Sequence, residues 1–187
     1  MSMLVPRRKT HTVMVGHVAV WWDHPVVVQS MTNTPTRDIE ATLAQIIELA
    51  DAGSEIVRIT INDDAAALAV PQIVAKLRDQ WYQTPIVGDF HYNWHILLEK
   101  YPEMARSISK YRVNPGNVGK GERHDDNFKK FVECAIKYDL PIRIWVNGGS
   151  LDAELLDSNM EANAKREDPQ SAQDVYIDTM VESGIIS

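Results

Sequence analysis

Residues 85–93 read PIVGDFHYN, residues 111–119 read YRVNPGNVG and residues 141–150 read PIRIWVNGGS. Each is a strand-like apolar run that breaks into a polar cluster at its C-terminal end. Strands whose polar residues always gather at the same end build one shared site at the mouth of a parallel sheet or barrel. Residues two apart on a strand share a face. Arg112 therefore points with Asn114, Asp89 with His91, and Arg143 with Trp145 and Asn147 as long as that strand stays extended. Two Arg-x-Asn pairs at strand ends set guanidinium forks beside amides, a donor set suited to bidentate holding of phosphate or carboxylate oxygens. A small anionic ligand is the first functional expectation.

Outward from these strands, the chain alternates between strand and helix patterns. Residues 11–20 and 26–31 predict a short hairpin and a first barrel strand, with the turn around Asp23, His24 and Pro25. Thr36 is the expected cap of a helix carrying Ile39, Leu43, Ile46, Ile47 and Ala50, which Gly53 stops. Residues 55–61 predict a strand, and residues 63–80 a helix that Pro71 divides or kinks. A helix over 93–108, the strand KYRVN, a helix bearing Phe128, Phe131, Val132, Ala135 and Ile136, and the strand PIRIWVN follow. Helix near Leu151–Leu156 and from 171 to 183 closes the pattern. Gly116, Asn117 and Gly119 read as turn formers after Pro115, and the charge runs 122–126 and 161–168 as solvated segments.

About five βα units argue for an α/β fold with a parallel sheet and right-handed crossovers. A (β/α)₈ barrel has eight units and about 250 residues, so the expectation is a partial TIM-type barrel about three strands short of closure. A doubly wound sheet is the alternative, but its G-x-G-x-x-G fingerprint is absent.

Composition excludes several functions. A net charge of −7 argues against nonspecific binding to nucleic acid or anionic membrane, so an anion must be held by a local cluster. No run approaches the length of a membrane span, and the basic start MSMLVPRRKT lacks the apolar stretch of a secretory signal, which predicts a cytoplasmic protein. The single cysteine, Cys134, sits on an apolar helical stripe and reads as a buried, inert thiol, leaving no cysteine-based metal site in the chain.

The runs VVVQSMTNT, EIVRIT, GDFHYN, YRVNPGNVG and RIWVNGGSLD, in this order and at these intervals, resemble 4-hydroxy-3-methylbut-2-enyl diphosphate synthase, from about Lys9 to the end of the chain. The resemblance implies the N-terminal part of a barrel that binds 2-C-methyl-D-erythritol 2,4-cyclodiphosphate. It also implies a homodimer and a C-terminal domain, expected beyond Ser187, whose [4Fe-4S] cluster is fed by flavodoxin or ferredoxin for a reductive ring opening with loss of water. This chain alone is then expected to be inactive. The substrate-binding residues it implies are Arg58, Arg112 and Arg143 on the diphosphate, Asn114 and Asn147 adding hydrogen bonds, and Asp89 and His91 orienting the ligand. No catalytic residue and no metal ligand is assigned within the chain. Tryptophan stands at Trp21, Trp22, Trp81, Trp94 and Trp145 where the resembling sequences have glycine. Trp21 and Trp22 in a turn are expected to be strained, and Trp145 to fill ligand space. A pterin- or phosphate-binding transferase barrel resembling dihydropteroate synthase, and a non-enzymatic truncated product, are the alternatives.

Overall fold

The computed structural model describes residues 8–114 and 122–186, the side chains of 122–125 and 150 excepted. The turn formers at 115–119 lie outside the described residues. Strands β1 (Val13–Val15) and β2 (Val18–Val20) form an antiparallel hairpin. Its turn is at Gly16, in the left-handed region at φ 58°, and not at Asp23–Pro25, which instead join the hairpin to the sheet. Gly16 supplies the positive φ that a tight hairpin needs.

Five parallel strands follow in chain order: β3 (Gln29–Met31), β4 (Ile56–Ile61), β5 (Ile86–Phe90), β6 (Lys110–Val113) and β7 (Ile142–Ile144). Spatial order equals chain order, so the winding never reverses. That is barrel winding and excludes the doubly wound alternative, whose strand order reverses at a switch point. Side chains confirm the curl. Lys110 Nζ on β6 donates to Gln29 Oε1 on β3 at 3.1 Å. Three strand spacings make about 14 Å in a flat sheet, too far for side chains standing perpendicular to it to meet.

The crossovers are α1 (Ile39–Asp51), α2 (Asp64–Asp79), the pair α3 (Trp94–Lys100) and α4 (Pro102–Ser107), and α5 (Glu122–Tyr138). A 3₁₀ turn (Gly148–Ser150) leads to α6 (Ala153–Ala164) and α7 (Ala172–Ile185), which pack on each other through Asn159 and Thr179. Asp38, not Thr36, caps α1, accepting from Ala41 N at 3.1 Å. Pro71 lies inside an unbroken α2, against the expected division. The helix expected over 93–108 splits at Tyr101, because the residue before Pro102 is pushed out of the helical region.

The core lies between the outer sheet face and the helices. Val57, Ile59, Ile61, Ile86, Phe90, Tyr111 and Val113 project outward onto Ile46, Val70, Ile73, Leu77, Leu97, Met104 and Phe131. Each fully buried large side chain contributes about 1.5–3 kcal/mol. Phe131 is the hub, its ring centroid 4.7 Å from Trp94, 5.4 Å from Tyr111 and 6.3 Å from Phe90. Trp94 is thus a core residue. Cys134 lies beside the Tyr111 hydroxyl at 3.7 Å, and burial pushes its thiol up, as an inert cysteine requires. Trp21 and Trp22 are not strained: the left-handed tryptophan is Trp81, at φ 67°.

Candidate functional site

Parallel register decides which side chains share the inner face. Met31 pairs with Arg58, Thr60 with Asp89, Asp89 with Arg112, and Arg112 with Arg143. Paired residues in a sheet point the same way, so Thr60, Asp89, Arg112 and Arg143 form one row across four consecutive strands, and Arg58, in register with Val87 and through it with Lys110, stands on the same face one row below. Below them the inner face is closed by the hairpin, whose Val15 and Val18 pack with Val27 on Ile56 and Val87. The inner face therefore has an apolar floor and a charged mouth.

The Asp89 side chain is buried, 5% exposed, and divides its carboxylate oxygens between two arginines. Arg112 Nη1 donates to Oδ1 at 2.7 Å, and Arg58 Nε lies 3.5 Å from Oδ2. Arg58 also directs Nε and Nη2 onto the Met31 sulfur at 3.2 and 2.9 Å. Arg112 Nε is buried with no partner. Trp145 follows β7, yet its N–H still bonds Val113 O at 2.9 Å, which keeps it in register with β6. Its ring lies over the Arg143 guanidinium, 4.5 Å from Cζ, and 6.0 Å from that of Arg112. Such cation–π contacts contribute about 0.5–2 kcal/mol each.

The charges do not balance locally. Among the described residues, Asp89 is the one carboxylate ion-paired with these arginines. Burial, then the like charges of Arg58 and Arg112, works against the charged form of Arg143, with Asp89 opposing. Arg58 and Arg112 share Asp89, and Arg112 and Arg143 share the Trp145 ring, so the three guanidiniums lie in one region. Lys110, two residues before Arg112 on the same face, joins them: burial, with Arg143 and Arg58 as like-charged neighbours, lowers it to about 8. The sequence reading missed Lys110, Gln29 and Met31. The signal for Lys110 was the same alternation that found Arg112 and Asn114.

The remaining expected residues fall around this cluster. Asn114 is buried just beyond β6. Asn147 keeps an extended backbone (φ −141°, ψ 158°) before the 3₁₀ turn and is exposed at the rim. His91 is half-buried and opens with Asn62, Tyr92 and Asn93 onto a cleft at the mouth, while Asp89 turns to the arginines. Nothing here fits an iron–sulfur cluster. Such clusters take cysteine thiolates, Cys134 faces the core, and no group of three His, Cys, Asp or Glu among the described residues is placed to hold a metal. No helix among the described residues is long and apolar enough to cross a membrane. The family model of the GcpE TIM-barrel domain matches residues 10–185.

Proposed function

The chain belongs to the GcpE family, an enzyme family of isoprenoid biosynthesis, and on that premise we propose that its inner-face mouth binds 2-C-methyl-D-erythritol 2,4-cyclodiphosphate. The observation that carries this reading is the gathering of Arg58 and Arg112 on the buried Asp89 carboxylate, with Arg143 beside them against the same Trp145 ring that Arg112 nears, which among the described residues leaves cationic charge for an anion to neutralise. In the reaction of 4-hydroxy-3-methylbut-2-enyl diphosphate synthase, the cyclic diphosphate is reductively opened at carbon with loss of water. Opening frees a phosphate oxygen, and charge grows on it.

The parts assigned to this chain are binding and charge stabilisation. Arg112 and Arg58, oriented by Asp89, and Arg143, braced by Trp145, donate to the diphosphate oxygens and stabilise the charge released on opening. Asn114, Asn147 and His91 border the same mouth and orient the rest of the ligand. Electrons come, in this reading, from a [4Fe-4S] cluster served by flavodoxin or ferredoxin, in a homodimer. The residues described above do not hold that cluster.

Titration calorimetry of the cyclodiphosphate into the chain tests the proposal. Arg112→Ala and Arg143→Ala are each expected to weaken binding by about 10- to 100-fold, the loss of one or two charge-assisted hydrogen bonds. Unchanged affinity in both variants would place the site elsewhere.

A further inference from the structure

Among the described residues, Lys110 is the one cation of the inner face that has no carboxylate partner and no ring beneath it. Its ammonium carries three donors, and among the described residues one of them has an acceptor, the uncharged amide oxygen of Gln29 on the opposite side of the curled sheet. The groups around it are settled by position. Val87 of β5 is in register with it and Arg58 of β4 lies in the same row, Asp89, Arg112 and Arg143 stand one row above on β5, β6 and β7, and among the described residues β3 offers Gln29 and Met31 and the hairpin Val15 and Val18. Asp89 is already shared between Arg112 and Arg58. Lys110 and Arg112 are two residues apart, about 6.6 Å along the strand, so the lysine forms the next layer below the fork.

We propose that Lys110 is a fourth cationic group of the anion site, set in the row of Arg58 beneath Arg112 and Arg143, and that its amine takes up a proton from solvent when the anion binds. This rests on the reading of the mouth as a diphosphate site. Without a ligand, like charges and burial disfavour the ammonium, which sits at about 8 instead of the 10.5 of a free lysine. An arriving anion reverses the sign of the local field and restores the charged form. The linkage follows. The proton is bound more tightly in the complex than in the free protein, so affinity rises as pH falls through about 8 and levels off once the lysine is charged in both states. A crossbar between β6 and β3 with a purely structural role would produce no such coupling.

Calorimetry of the cyclodiphosphate in buffers of different ionisation enthalpy reads the proton directly, because this phosphodiester ligand has no proton of its own to exchange near pH 8. The wild-type chain is expected to take up about half a proton per ligand at pH 8 and close to none at pH 6.5. Lys110→Arg, always charged, should bind with similar affinity at both pH values and take up none. Lys110→Met should bind more weakly and also take up none. Binding by the wild type without proton uptake at pH 8 would overturn the role of Lys110 and leave the arginine site standing. Uptake that persists in Lys110→Arg would move the proton to another group, with the same consequence for Lys110. No binding by the wild type at pH 6.5 or 8 would remove both the site and the lysine's part in it.

Discussion

The two faces of the five-stranded sheet are built by opposite rules from alternate residues of the same strands. On β6, Tyr111 and Val113 go outward into a core of aliphatic and aromatic side chains, while Lys110 and Arg112 go inward to a mouth where, among the described residues, cations outnumber the one carboxylate that pairs with them. The outer face is complete: Phe131 fills the space between Phe90, Trp94 and Tyr111, with rings edge-on or tilted. The inner face leaves its polar accounting open, with Arg112 Nε unpartnered and Lys110 held down to about 8. The contrast separates what holds the fold from what awaits a ligand, and it makes different demands on mutations at the two faces.

Phe131→Ala is expected to give the largest loss, about 3–5 kcal/mol, because it removes the hub of the aromatic cluster and leaves a cavity that rigid neighbours cannot fill. Urea denaturation measures it. Sulfate or the cyclodiphosphate should restore none of that loss beyond the stabilisation each gives the wild type, since the damage lies on the dry side of the sheet. Asp89→Asn comes next, at about 3 kcal/mol, because it strands the Arg112 guanidinium among like charges. Here the added anion should recover a large part of the loss. If anions rescue both variants equally, or neither, the division between a structural and a ligand-ready face fails.

Much of this was legible in the chain because alternation is a local property. The shared inward face of Asp89, Arg112 and Arg143 follows from the strand period and from parallel register, whereas His91, expected beside Asp89, opens onto the cleft with Asn62 and Asn93. What was not legible depends on approach across space. That Asp89 serves Arg112 and Arg58, that Trp145 lies against Arg143, and that Lys110 spans to Gln29 are products of sheet curl, which no short sequence window encodes. The Thr36 cap failed for a similar reason. Both threonine and aspartate suit the role, and the chain path through Pro35 put Asp38 where the Ala41 N–H needed an acceptor. Pro71 was expected to divide or kink its helix, and α2 is not divided there. The helix carries it because Val70 and Ile73 beside it are fully buried against the sheet, and packing outweighs the lost bond.

The smallest expected effect comes from a place that belongs to neither face. Three helices end in the same motif, in which the residue after the cap turns left-handed and two N–H groups fold back onto the last turn. In α1 that residue is Gly53, with its N–H on Ala50 O and the next on Leu49 O. In α5 it is Asp139, bonded to Ile136 O, with Leu140 on Ala135 O. In α2 it is Trp81, bonded to Arg78 O, with Tyr82 on Leu77 O. Glycine adopts this conformation freely and aspartate tolerates it, but a tryptophan meets the full clash of its Cβ, about 1–2 kcal/mol. The indole is 89% exposed, so little packing offsets the strain. Trp81→Gly should therefore stabilise the chain, by about 0.5–1 kcal/mol once the extra freedom of glycine in the unfolded chain is subtracted. Asp139→Gly should do less. A urea midpoint that falls for Trp81→Gly would show that the exposed indole makes a contact worth more than the strain it imposes.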